Sequence, residues 1–198
     1  RTTGTPLDTA SAHLYPEIIG SLLYLAMNTR PDIAHAVSSL AKFMSCPTSA
    51  HLAAARSVLR YVAGTPTLGI TYRFTGSSAD QLTGYTDASF AGDLDNRRST
   101  TGYVFLYGGA AITWNSRLQP TVAASTTEAE YQSCAAAARE ALWLRSLFFD
   151  LGISISGPVR IACDNQGALS LLKNPLGSAR AKHIDVLHHF ARERVARN

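Results

Sequence analysis

The sequence predicts an α/β domain preceded by a small all-helical bundle. Three observations carry that prediction. Residues 14–64 repeat apolar side chains at helical spacing. From residue 82 the runs turn rich in Thr, Tyr, Phe and Val and are broken by glycines, which marks strands and hairpins. A long helical pattern over 125–152 then leads to a short apolar run and a short helix. The resulting order is strand, strand, strand, helix, strand, helix, an α/β layout.

In the bundle, "YPEIIGSLLYLAMNTRPD" places Ile18, Leu22 and Leu25, with Ile19 and Leu23, on one helical face and stops before Pro31. "RPDIAHAVSSLAKFMSCP" opens with a proline in its first turn and ends before Pro47. "PTSAHLAAARSVLRYVAGTP" aligns Leu52, Ala55, Leu59 and Val62 and stops at Gly64. Residues 65–81 read as a linker around a strand-like "GITYRF". Strands are expected in "QLTGYTDASF", "STTGYVFLYG" and "AAITWNSRL", the last two forming a hairpin across Gly108 and Gly109. The helix "STTEAEYQSCAAAAREALWLRSLFFDLG" ends at Gly152, "GPVRIACDN" is a short strand, and "NQGALSLLKNP" a short helix. The tail "SARAKHIDVLHHFARERVARN" reads as helix. The alanine run 135–138 suits close packing on a sheet, and Trp114 and Trp143 are expected in the core.

Composition narrows the function classes. With 46% hydrophobic residues in 198, the chain has material for a sizeable core. Eighteen Lys and Arg face fourteen Asp and Glu. The excess gathers from Arg160 onward, which suits phosphate contacts or, more blandly, a solvated helix face. Cys46, Cys134 and Cys163 are odd in number and form no CxxC pair, favouring a reduced, intracellular compartment. No signal peptide and no membrane-spanning run is present, so no membrane partner is expected. A start at Arg1 rather than Met suggests a piece of something longer.

Asp87 in "GYTDASFAG" is unusual, because aspartate is depleted in strands. Asp164 in "VRIACDNQ" also falls late in a strand, just before a helix. Acids gathered at neighbouring strand ends repel unless a cation lies between them. Oxygen donors without Cys or His favour Mg²⁺ or Mn²⁺ over zinc. The long helix offers a third acid. Glu130 continues the apolar row Cys134, Ala137, Ala141, Leu144 and Phe148, so it points inward. Glu128 continues the polar row Gln132, Arg139 and Ser146, and Ser125–Glu128 matches a capping box, so it is expected to cap the helix.

The blocks "YTDAS", "STTEAEYQS" and "CDNQGA", in this order, resemble the active-site blocks of type 1 ribonuclease H as carried by copia-type LTR retrotransposons. "DLDNRRSTTGYVFLYGGAAITWNSRLQPTVAASTTEAEY" and "KHIDVLHHFARE" fit the same pattern. "IIGSLLYLAMNTRPDIAHAVSSLAKFMSCPTSAH" and "VLRYVAGT" resemble the end of the preceding reverse transcriptase. The resemblance implies a ribonuclease H-like mixed sheet with flanking helices over 82–198. It makes 1–64 the C-terminal end of a reverse transcriptase, with the polymerase domain of the same polyprotein as partner. It implies hydrolysis of the RNA strand of an RNA–DNA hybrid with two Mg²⁺ ions, Mn²⁺ being possible. Asp87 would bridge both ions, with Glu130 and Asp164 holding one. It further implies a cytoplasmic setting within retrotransposon particles.

Arg97, Arg98, Arg117 and Lys182 are candidate phosphate contacts, competing with plain surface roles. The family pattern continues with a fifth strand and a helix carrying a fourth acid, so the domain is expected to be truncated, with an exposed edge on its fourth strand. Asp185 in "KHID" is then the late acid taken as a candidate fourth ligand. His183, His188 and His189 do not share a helical face and suit surface roles better than a metal cluster. Two rivals remain: an integrase-type DNA-cutting domain, disfavoured because Glu130 lies between the aspartates, and a non-catalytic nucleic-acid-binding connection module or inactive retroelement remnant.

Overall fold

Helical spacing in the front part becomes three helices. The computed structural model describes residues 4–74, 76, 81–155, 157–173, 193 and 195, and the chain divides into two units, Arg1–Thr71 and Tyr72–Asn198. In the first unit, α1 runs Thr9–Asn28, a 3-10 turn at Pro31–Ile33 leads into α2, Ala34–Ala41, and α3 spans Ser49–Gly64. Tyr15, Ile19, Leu40, Leu52 and Ala55 form one part of its core, and Leu22, Ala26, Ile33 and Val37 the other.

Two expectations for this unit need correction. Pro16 lies inside α1 instead of near its start. Beside it the buried Tyr15 donates its hydroxyl to the Leu40 carbonyl at 2.8 Å, tying this turn of α1 to α2. Leu59 does not continue the buried row of α3: it is exposed, and Val58 packs against the core in its place. An i+3 step from Ala55 reaches the core where the i+4 step turns outward.

In the second unit, β1 (Thr83–Ser89), β2 (Thr100–Tyr107), β3 (Ala110–Leu118) and β4 (Arg160–Ala162) form one mixed sheet in the order β3-β2-β1-β4. β1 is antiparallel to β2 and parallel to β4. The β2–β3 hairpin turns on Gly108 and Gly109, at φ +60 and +74. These are the left-handed values a two-residue turn matched to strand twist requires. Gly84 is needed for another reason: a Cβ there would stand 2.5 Å from the Phe105 ring. The "GITYRF" stretch makes no strand. Its Arg73 N–H donates to the Gly108 carbonyl at 2.8 Å and Phe74 stacks edge-on against Tyr107.

The long helix α4, Thr126–Asp150, lies on this sheet, and α5 spans Gln166–Lys173. Leu82, Phe105, Ala137, Ala141, Leu144 and Phe148 make the core between helix and sheet. Trp143 is 56% exposed, against expectation. It lies one turn beyond Arg139 and so belongs to the outward row, not the apolar stripe. The alanine run packs on two sides: Ala137 faces the sheet, while Ala135 with Tyr131 meets Leu171 and Leu172 of α5. The tail helix expected over 178–198, with His183, His188 and His189, lies outside the described residues except for Glu193 and Val195, which are helical. No helix among the described residues is long and apolar enough to cross a membrane.

Candidate metal centre

The site arises where two parallel strands part. β1 and β4 pair through Thr83–Arg160, Gly84–Ile161 and Tyr85–Ala162. Asp87 and Asp164 each stand two residues beyond the last pair. β1 continues against β2, with Asp87 opposite Gly102. The chain after β4 instead turns into α5, where the Asn165 side chain accepts from the Ala168 N–H at 2.9 Å. The divergence puts both aspartates, exposed, at one sheet end.

Helix α4 supplies the third acid, and its seat is well determined. Buried Ser133 donates to the Asp87 carbonyl at 2.6 Å and lies 2.8 Å from the Thr86 hydroxyl. Three residues earlier, nearly one turn, Glu130 is 7% exposed. The Ala88 backbone and the Asp87 side chain lie close enough to the Glu130 carboxyl to act on its proton. Burial, aided by the negative charges of Asp87 and Asp164, pushes the Glu130 carboxyl up to about 7, against the lowering from the Ala88 N–H. The Glu130 and Asp164 oxygens and the Cys163 sulfur lie within 4.8 Å of one another. Glu130 and Asp164 thus share one cluster with Cys163, while Asp87 stands outside it, near enough for its charge to act on Glu130.

Glu128 is occupied elsewhere. Ser125 caps α4 by accepting from the Glu128 N–H at 3.1 Å, and the Glu128 carboxylate accepts from the Ala124 N–H at 2.8 Å. It also accepts from Gln132 Nε2 at 3.4 Å. The polar row did not predict that Glu128 and Gln132 would be buried. The first turns of α4 are enclosed on several sides: Gln119 reaches across to donate to the Ala129 carbonyl at 2.9 Å.

Cys163 was missed. The expectation of an oxygen-only neighbourhood is corrected by its Sγ, 4.0 Å from Glu130 Oε2. Its position beside Asp164 in "ACDN" was the available signal. Cys134 is buried nearby, and burial, with Cys163 and Glu130 adding, pushes its thiol up. All three cysteines are free.

The donor set fits a hard divalent cation. A buried carboxyl with two more acids near it has a raised proton affinity for want of positive charge, and a cation supplies that charge. The candidate phosphate contacts are spread out. Arg97, at φ +58, and Arg98 sit in the loop after β1, ordered by Asp93, whose Oδ1 accepts from the Asp95 and Asn96 N–H groups at 3.0 and 3.2 Å. Arg117 is exposed on β3 and lines a cleft of about 320 Å³ with Tyr103, Asn115, Gln119 and Arg139. Lys182 and Asp185 lie outside the described residues.

Comparison with known proteins gives a consistent family signal. Over 181 residues, 91% of the chain, it is 45% identical to the retrovirus-related Pol polyprotein from transposon TNT 1-94 of Nicotiana tabacum. Over the same length it is 46% identical to that from transposon RE1 of Arabidopsis thaliana. The chain spans only 13% and 12% of those two polyproteins. It is also 45% identical, over 130 residues, to secreted RxLR effector protein 161 of Plasmopara viticola, covering 90% of that protein. No protein-family model and no solved structure matches the chain.

Proposed function

The chain belongs to the copia-type retrotransposon Pol polyproteins as a segment of them, and we propose that this segment is a ribonuclease H domain, residues 82–198, following the end of a reverse transcriptase, residues 1–64. Its reaction is hydrolysis of the RNA strand of RNA–DNA hybrids. The observation that carries this reading is the buried Glu130 carboxyl, within 4.8 Å of Asp164 and near enough to Asp87 to feel its charge. Those acids arrive in the order Asp, Glu, Asp from a strand, a helix and a strand end, which is the order of the ribonuclease H blocks and not that of integrases.

Asp87, Glu130 and Asp164 would hold two Mg²⁺ or Mn²⁺ ions, with Asp185 a proposed further ligand. Such ions supply an activated water and offset the charge on the leaving 3′ oxygen. The chain's own contribution is placement. Ser133 fixes β1 against α4 beside Asp87, and Asn165 fixes the turn that presents Asp164. Arg97, Arg98, Arg117 and Lys182 would contact phosphates, while hybrid selectivity would come from 2′-hydroxyls across the minor groove. The polymerase domain of the same polyprotein is the proposed partner, in the cytoplasm within retrotransposon particles.

The test is cleavage of a labelled RNA–DNA hybrid against duplex DNA, with and without Mg²⁺. Cutting confined to the RNA strand and dependent on Mg²⁺ supports the reading. Binding without cutting would assign the chain to the alternative, a non-catalytic nucleic-acid-binding module.

A further inference from the structure

The geometry points to a second metal chemistry at this site: Cys163, with Glu130 and Asp164, forms a capture site for a thiophilic divalent ion such as Zn²⁺. The inference shares two carboxylates with the nuclease reading but does not require cleavage. A tetrahedral zinc with bonds of about 2.3 Å to sulfur and about 2.1 Å to oxygen places those donors about 3.6 Å apart. Cys163 Sγ and Glu130 Oε2 stand at 4.0 Å, and all three donor atoms lie within 4.8 Å of one another. Closing the Cys163–Glu130 pair takes about 0.4 Å, and drawing in a donor at the 4.8 Å limit takes about 1.2 Å, a shift that rotation of the exposed Asp164 side chain can supply.

The sulfur adds an affinity for a soft ion to the hard-ion affinity of the carboxylates. Cys163 also lines a cavity of about 240 Å³, mostly apolar, with Cys134, Ile161, Leu169, Leu172 and Lys173. Mg²⁺ keeps several waters and gains little from sulfur, whereas Zn²⁺ sheds water readily and prefers thiolate. Cys134 lies near enough to Cys163 for the two thiols to act on each other, which places an S–H group beside the thiolate that forms. Coordination replaces the Cys163 proton, which leaves to solvent, by the metal. A thiophilic ion so held occupies Glu130 and Asp164, so micromolar Zn²⁺ would keep a hard ion from those two acids.

The test uses Co²⁺ alone as a spectroscopic stand-in, because a cobalt–thiolate bond gives a near-ultraviolet charge-transfer band that carboxylates do not. The full chain carries Cys46→Ser, which silences the exposed third thiol. The expected result is a band saturating at one equivalent, bleached by Zn²⁺ and not by excess Mg²⁺. Adding Cys163→Ser should abolish it, and Asp164→Asn should weaken Co²⁺ binding at least tenfold while keeping the band. An undiminished band in Cys163→Ser, or an affinity no tighter than that of the urea-unfolded chain, overturns the proposal. If Cys163→Ser fails to fold by circular dichroism, the Asp164→Asn affinity decides, unchanged binding being contrary. A band without hybrid cleavage sinks the nuclease reading alone, and cleavage without a band sinks this one alone.

Discussion

At the scale of single residues, Glu130 and Glu128 are two carboxylates one helical step apart with different tasks. Glu130→Gln keeps the shape of the side chain and removes the charge a cation would meet. It should reduce hybrid cleavage to background with the fold intact, whereas Glu128→Gln should keep most activity and cost at most about 1 kcal/mol through the cap. A dead Glu128 variant beside an active Glu130 variant would reverse the assignment. The raised Glu130 carboxyl also sets a pH dependence in metal-free protein. Its folded value is about 7 against an ordinary 4.5, so the stability it lends is full below 4.5 and is lost as pH rises through about 7. With a chelator present, the melting temperatures of wild type and Glu130→Gln should therefore converge near pH 4.5. The variant should become the more stable of the two above pH 7, and a gap constant with pH would contradict the shift. Helical spacing alone was enough to separate the two glutamates. It was not enough to find Cys163, whose importance depends on how the chain turns after β4.

At the scale of elements, the joint between α4 and β1 is what turns separate acids into a site. Ser133 bonds both the Asp87 carbonyl and the Thr86 hydroxyl in a fully buried position. Ser133→Ala leaves those groups short of a partner and should cost about 1–3 kcal/mol, read as a lower denaturant midpoint with unchanged slope. An unchanged midpoint would mean that the helix is held by its apolar stripe alone. The boundaries of β3, the glycine hairpin and the Ser125 cap were legible because local chemistry dictates each of them: positive φ, strand alternation, a side-chain oxygen before a helix. The errors have one cause. Leu59, Trp143 and the buried face of Glu128 and Gln132 depend on which neighbours reach a helix from a second direction, and periodicity along one chain carries no record of that. The strand-like "GITYRF" failed for the complementary reason, since a strand needs a partner over several residues and this segment finds it mainly at Gly108.

At the scale of the whole molecule, the account joins two separately cored units with a net basic chain, +4 at neutral pH. Hybrid binding should weaken steeply with salt as phosphate contacts release counterions, and removing the Arg97 and Arg98 charges together should lower the slope of log K against log salt by about 1–2. A slope unmoved by that change would take the loop out of the interface. The central claim is that Asp87, Glu130 and Asp164 form a metal-dependent centre cutting RNA in a hybrid. Single-turnover cleavage of a strand-labelled RNA–DNA hybrid, by wild type and Glu130→Gln at equal occupancy, tests it most directly. The account predicts Mg²⁺-dependent cuts in the RNA strand by wild type and none above background by the variant. Equal cleavage by both proteins, or none by wild type at saturating Mg²⁺ or Mn²⁺, would contradict it.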